Sequence, residues 1–209
     1  MPATLIHLVR HGEVHNPEGV LYGRIPGYRL SELGVKMARA AADSLASNPV
    51  TRLYASPLQR AQESAQPWAE RFGLEIRTDE RLIEPHNWFE GRIMREALRR
   101  PASWIQLRNP LKPSWGEPFT SVRDRMLAVV ADAWEQTERG EVVLVSHQMP
   151  IVMVARAVKH LRLAHDPRQR RCSLSSITTL KRDGEVFVEV NYQEPVGALL
   201  QAAIDLGAV

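Results

Sequence analysis

The stretch that most constrains this chain is Leu5-Ile6-His7-Leu8-Val9-Arg10-His11-Gly12-Glu13. Four of its first five residues are apolar, with β-branched Ile6 and Val9 among them, the composition of a strand buried on both faces. The run stops at Arg10-His11, and Gly12 then lets the backbone turn tightly. A guanidinium and an imidazole are thereby delivered to one edge of a sheet. In open α/β folds that edge, at the carboxyl ends of the strands, is where ligands bind. A surface loop after an edge strand is the competing reading of this stretch taken alone.

The rest of the chain repeats the pattern. Residues 16–28 carry Pro17, Gly19, Gly23, Pro26 and Gly27 and read as a loop. Ser31 caps a helix with Met37, Ala41 and Leu45 at a spacing of four. Arg52-Leu53-Tyr54-Ala55 is a short strand, followed by Ser56 as an N-cap and Pro57 at the first helical position of a helix to Arg71. Glu75-Ile76-Arg77 reads as another strand. Residues 85–118, with five prolines and three tryptophans from Pro85 to Pro118, interrupt two short helical pieces near 92–100 and 102–108 and read as an insertion over the top of the sheet. A long helix is expected over 119–138, and Val142-Val143-Leu144-Val145 is a strand that again ends in functional residues, Ser146-His147. A helix over 149–161 and a hairpin, 176–181 with 186–192 turning at Asp183-Gly184, complete the body. The alanine- and leucine-rich tail from Pro195 has no assigned place.

Length and composition set the class. A chain of 209 residues is one domain, 1–209, long enough for a substantial core. No apolar run approaches the ~20 residues of a membrane span, and the first residues lack the pattern of a signal peptide, so a cytoplasmic protein is the expectation. Cys172 is the only cysteine, which excludes an intrachain disulfide and a cysteine metal cluster. It reads as a small apolar filler. The formal net charge is +3, concentrated in residues 92–113 and 156–171. No zinc-finger, RRM-like or aromatic-interleaved motif accompanies this charge, so no nucleic-acid partner is expected. In the first basic segment, helical spacing would bring Arg92, Arg95 and Arg99 onto one face, able to attract a substrate with a second anionic group.

If the strands lie parallel in one sheet, Arg10-His11, Ser56 with Arg60 one turn on, and Ser146-His147 converge at one edge. Arg60 would then sit at a helix N-terminus, which favours an anion. Arginine's planar fork matches phosphate bidentately. Two histidines without a carboxylate cluster argue against a metal site, and neutral imidazole is a nucleophile at pH 7. The pocket therefore suits a phosphoryl group attacked by a histidine.

These residues resemble a family. Arg10-His11-Gly12-Glu13 is similar to the RHG motif of the histidine phosphatase superfamily, the phosphoglycerate-mutase-like enzymes. Leu30-Ser31-Glu32-Leu33-Gly34, Ser56-Pro57-Leu58-Gln59-Arg60-Ala61, Gly116-Glu117 and Ser146-His147 resemble its further motifs in the family's order. The resemblance implies an α/β fold, a three-layer α/β/α sandwich with a mostly parallel central sheet and a helical and loop insertion, lid-like, over the strand C-terminal edge. It implies His11 as the nucleophile that becomes phosphohistidine, with Arg10, Arg60 and His147 binding the phosphoryl oxygens. The proton donor would be Glu84, with Glu90 the second choice. Asn16 stands one residue before the family's usual phosphate-binding asparagine, where this chain has Pro17, and is carried as a further phosphate ligand. Gln148-Met149-Pro150 replaces the glycines that many members carry after the second histidine, and the first loop lacks the common aspartate. No cofactor is implied.

The other histidines have plainer readings. His7 is a hydrogen-bonded core residue, His15 and His86 are loop residues near the pocket, and His160 and His165 belong to a solvated basic surface. The leading expectation is a metal-independent phosphatase acting on a small phosphorylated substrate. A phosphoglycerate mutase uses the same histidine but must shield the phosphoenzyme from water, and the broken segment 85–118 favours hydrolysis. A phospholigand-binding protein without catalysis would not require the acid.

Overall fold

A computed structural model describes residues 2–109 and 113–205. The chain runs β1 (Leu5–Arg10), α1 (Glu32–Ser44), β2 (Val50–Ala55), α2 (Gln59–Phe72), β3 (Ile76–Thr78), α3 (Met94–Ala97), α4 (Pro101–Gln106), α5 (Phe119–Glu135), β4 (Glu141–Ser146), α6 (Gln148–Val158), β5 (Ile177–Asp183), β6 (Val186–Gln193) and α7 (Gly197–Leu200). The six strands form one sheet in the order β3-β2-β4-β1-β5-β6. β1 to β4 are mutually parallel where they pair, while β5 and β6 run antiparallel at one side. The expected three-layer α/β fold is the one observed.

Period-two side-chain alternation builds the two outer layers. From the central strands, Ile6, Leu8, Val142 and Leu144 face the apolar layer that contains Val122, Met126, Val129 and Val130 of α5 and Ile151 to Val154 of α6. The intervening residues Val9, Val143 and Val145, with Leu53 and Ala55, face α1 and α2 through Ala41, Ala61, Ala65 and Trp68. A strand covered on both faces has little use for polar side chains, which is why β1 and β4 read as continuous apolar runs. The exception in β1 is His7, whose imidazole bonds the Glu141 carboxylate at 2.8 Å and the Thr179 hydroxyl at 3.0 Å, as a core histidine should.

Register aligns the functional ends. Arg10 stands opposite Ser146, and Ala55 opposite Val145, so β1, β2 and β4 stop level with one another. The residues that follow, His11, Ser56 and His147, therefore occupy one rim. α1 begins as expected, with Ser31 accepting from the Gly34 N–H at 2.9 Å. α2 does not. Its first residue is Gln59, Leu58 is the cap residue without a side-chain bond of its own, and the Ser56 hydroxyl accepts the Leu58 N–H at 3.4 Å while also bonding His147. α5 stops at Glu135 rather than at 138.

Gly12 also serves a purpose other than the expected turn. A Cβ on it would lie 2.4 Å from the Gly34 carbonyl oxygen, and one on Gly34 would lie 2.0 Å from that of Glu13. The two glycines let the segment after β1 and the start of α1 touch backbone to backbone.

The insertion has a small apolar centre of its own, Leu21, Phe89 and Ala97 with Trp88 and Trp115 packed around them. It is tied to the first loop by the Leu21 N–H to Arg92 carbonyl bond at 2.9 Å and the Gly91 N–H to Leu21 carbonyl bond at 2.8 Å. α3 is a single turn, so Arg92, Arg95 and Arg99 do not share a helical face. Arg92 precedes the helix and stacks on Trp88, 3.8 Å from the ring centre. No helix among the described residues is long and apolar enough to cross a membrane.

Candidate active site

The level ends of β1 and β4 set two imidazoles side by side. The His11 and His147 rings meet edge to face with centroids 5.1 Å apart, and both residues are buried. His11 is fixed by its backbone N–H to the Ser146 carbonyl, 3.0 Å, and by Nδ1 against the Gly12 carbonyl, 2.7 Å. A carbonyl oxygen only accepts, so Nδ1 carries the proton and Nε2 holds the free lone pair. Burial, then the neighbouring Arg60 and Arg10 charges, push the His11 pKa well below the usual histidine value. The imidazole is therefore neutral and presents an unprotonated nitrogen at neutral pH.

His147 bonds the Ser56 hydroxyl through Nε2 at 2.7 Å and points Nδ1 at the Glu84 carboxylate, 3.8 Å away. Its Nδ1 has no hydrogen-bond partner although it is buried. Burial and the charge of Arg60, followed by His11 and Arg10, hold its pKa well below the usual value too. His147 is also the cap residue of α6, a helix of 11 residues whose N-terminus opens on this rim.

Two guanidiniums flank the pair. Arg10 is wholly buried, donates from Nη1 to the Cys172 carbonyl at 2.7 Å, and bonds both oxygens of Asp205 at 2.5 and 2.7 Å. Arg60, one residue into α2, donates from Nη2 to the Gly23 carbonyl at 2.7 Å and lies 4.7 Å from the Tyr22 ring centre. The Nε of each arginine is buried without a partner. Burial works against both charges. At Arg10 the Asp205 carboxylate more than offsets it and raises the pKa, whereas at Arg60 burial prevails and lowers it.

Glu84 completes the set from just past β3, only 12 % exposed. Burial raises its pKa, opposed by Arg60, Arg10, Arg170 and Arg125. Such a carboxyl holds its proton to higher pH than a surface glutamate. Glu90, the alternative acid, accepts the Asn87 N–H of its own loop at 3.0 Å. Asn16 is similarly committed. Its side-chain amide donates to the Val20 carbonyl at 2.8 Å and its oxygen accepts the Val20 N–H at 3.2 Å. In this structure the Asn16 amide therefore braces its own loop, both of its polar atoms being committed to Val20.

His86 lines the cleft beside Glu84 with Leu21, Trp115, Phe119 and Met149. His165 is half-buried rather than solvated. Burial lowers its pKa, and it accepts a bond from Arg170 Nε at 2.9 Å. Arg170 also donates to Gln148 at 3.1 Å, so the residue that replaces the family's glycine holds a guanidinium at the rim. Among the described residues Arg170 has no carboxylate partner within ion-pair distance. Neither Arg170 nor Asp205 stands out in the sequence. Each lies in an irregular segment, and only the chain's path brings it here.

Comparison with known proteins identifies the family and the fold. The model of the histidine phosphatase superfamily, branch 1, matches residues 6–194. The uncharacterized protein Rv0525 of Mycobacterium tuberculosis is 49 % identical over 195 residues, 92 % of this chain and 96 % of that one. Phosphoserine phosphatase 1 of Hydrogenobacter thermophilus is 31 % identical over 150 residues, 69 % of this chain and 71 % of its own length. Among solved structures, mycobacterial glucosyl-3-phosphoglycerate phosphatase superposes with a TM-score of 0.71 and 26 % identity, covering 91 % of this chain and 97 % of that one.

Proposed function

The chain belongs to the histidine phosphatase superfamily, and on that premise we propose that it is a metal-independent phosphatase that hydrolyses a small phosphomonoester through a phosphohistidine. The observation that carries the reading is the His11 imidazole, whose Nδ1–H is committed to the Gly12 carbonyl while Nε2 stands free beside two buried arginines. Nε2 attacks phosphorus as the ester oxygen departs, and Glu84 gives that oxygen its proton. Water then attacks the phosphohistidine, Glu84 takes its proton, and phosphate leaves with His11 neutral again. Arg10, Arg60 and the Nδ1 of His147 hold the phosphoryl oxygens and stabilise the charge spread over them in the in-line transfer. Two guanidiniums supply the positive charge that a metal ion would otherwise bring.

The substrates in the names of two relatives, phosphoserine and glucosyl-3-phosphoglycerate, are phosphomonoesters. The cleft beside Glu84, lined by Leu21, Trp115, Phe119 and Met149, is where the leaving alcohol would lie, because the proton donor must reach its oxygen. A rapid quench with radiolabelled phosphoserine or p-nitrophenyl phosphate tests the reading. Acid-labile phosphate is expected on His11, with hydrolysis unaffected by prior dialysis against EDTA. Turnover without such labelling, or turnover restored only by a divalent cation, would overturn it.

A further inference from the structure

The segment after β6 is anchored. Val196 is buried with Met37 and Leu174, and Leu199, Leu200 and Ala203 pack against them. The Ile204 N–H then donates to Glu13 Oε1 at 2.7 Å, beside the catalytic strand's end. One residue later Asp205 sets Oδ1 on Arg10 Nη2 at 2.5 Å and Oδ2 on Nη1 at 2.7 Å. The Arg10 side chain is fully buried, whereas that of Asp205 is 37 % exposed.

A carboxylate laid across both Nη atoms presents two oxygens in the geometry that a phosphoryl group presents. We infer that Asp205 is a built-in competitor for the phosphate subsite: its carboxylate occupies the Nη edge of Arg10, and a phosphoryl group that uses this edge enters by displacing it. The inference rests on Arg10 being a phosphate ligand, as proposed above. Two anions cannot share one fork without mutual repulsion, so the carboxylate and the phosphoryl group exclude each other. Displacement is local. The apolar anchor ends at Ala203, two residues before Asp205, and beyond it the link to the strand end is the Ile204–Glu13 bond. Arg10 meanwhile keeps its Cys172 partner.

The consequence is arithmetic. If the tail closes on Arg10 in most molecules, every ligand of that edge binds more weakly by the reciprocal of the open fraction. Substrate and product phosphate are weakened alike, so the tail raises KM and the inhibition constant for phosphate by the same factor.

Inorganic phosphate binding to the full chain, measured by titration calorimetry, tests this without requiring turnover. Asp205→Asn should bind phosphate roughly threefold to tenfold more tightly than wild type, for an open fraction of about a third to a tenth. Asp205→Glu, which keeps the charge, should stay within about twofold of wild type. Phosphate should also raise the Tm of Asp205→Asn more than that of wild type, a readout that excludes a misfolded variant. Equal or weaker phosphate binding by Asp205→Asn overturns the competition. Arg10→Gln separates the premise from the inference. If its phosphate affinity equals wild type, or if phosphate binds none of the proteins, the phosphate-subsite reading falls and the inference with it. If Arg10→Gln loses binding while Asp205→Asn gains none, only the inference falls.

Discussion

The floor of the site and its rim are built differently. The floor, Arg10, His11, Arg60 and His147, sits at the ends of strands and at the start of a 14-residue helix, and every member is 2 % exposed or less. Hydrogen bonds to carbonyls and the Gly12–Gly34 contact fix its positions. The rim is made of one-turn and two-turn helices, a loop around Arg170 and the segment 196–205, tied by a few hydrogen bonds and two small apolar clusters. A reaction that needs its atoms held to a fraction of an ångström belongs on the first kind of structure. Recognition of the rest of a substrate tolerates the second. The division implies that floor substitutions alter kcat and rim substitutions alter KM.

The largest break in that contrast should come from His11→Ala. Removing the nucleophile closes the covalent route and should lower kcat by a thousandfold or more, several kcal/mol of barrier. Because the ring lies against His147 and beside two arginines and not in an apolar layer, Tm should fall by only a few degrees. A folded variant that keeps a tenth of wild-type activity would contradict the assignment.

Glu84 gives the next largest effect and a pH signature. Burial raises its pKa and so favours the protonated form that the first step needs, and kcat/KM should fall as pH rises through that pKa. His11, whose pKa is depressed, must be unprotonated, so activity should fall only at pH well below the usual histidine range. Glu84→Gln should cost about a hundredfold to ten-thousandfold with an alkyl phosphate, and much less with p-nitrophenyl phosphate, whose leaving group needs no proton. It should also remove the alkaline limb. A limb that persists in this variant would assign it to another group.

At the rim, Arg170→Gln tests recognition. Among the described residues Arg170 has the neutral His165 and Gln148 as hydrogen-bond partners, and burial lowers its pKa to about 10, leaving it charged at neutral pH. Its loss should raise KM about tenfold or less for a phosphomonoester bearing a carboxylate, such as phosphoserine, because one charge-assisted contact goes. KM for p-nitrophenyl phosphate should stay within twofold. Equal effects on both substrates would place Arg170 in the floor. The smallest effect is expected from replacing Arg92, Arg95 and Arg99 together with glutamine. With no common helical face and Arg92 stacked on Trp88, a change in KM below twofold across a salt series is the expected outcome.

What the sequence determined by itself is the part whose information is local. The apolar runs of β1 and β4 dictated strands covered on both faces, and Arg10-His11 and Ser146-His147 at their ends placed the chemistry at one sheet edge. The Ser31 cap was legible because capping is settled within four residues. Ser56 departs from the same rule, since a hydroxyl that fits a cap fits a histidine equally well, and β4 brings the histidine. Motif spacing pointed to Glu84 and left Glu90 open. Only the fold shows Glu84 buried against His147 and Glu90 bonded within its loop. Arg170 and Asp205 were invisible for the same reason on a larger scale. Asp205 lies 195 positions from Arg10, and a charged side chain in an irregular segment carries no periodicity to announce its partner. Strands declare themselves through neighbours in sequence, whereas the electrostatic partners of a buried charge are decided by where distant segments come to rest.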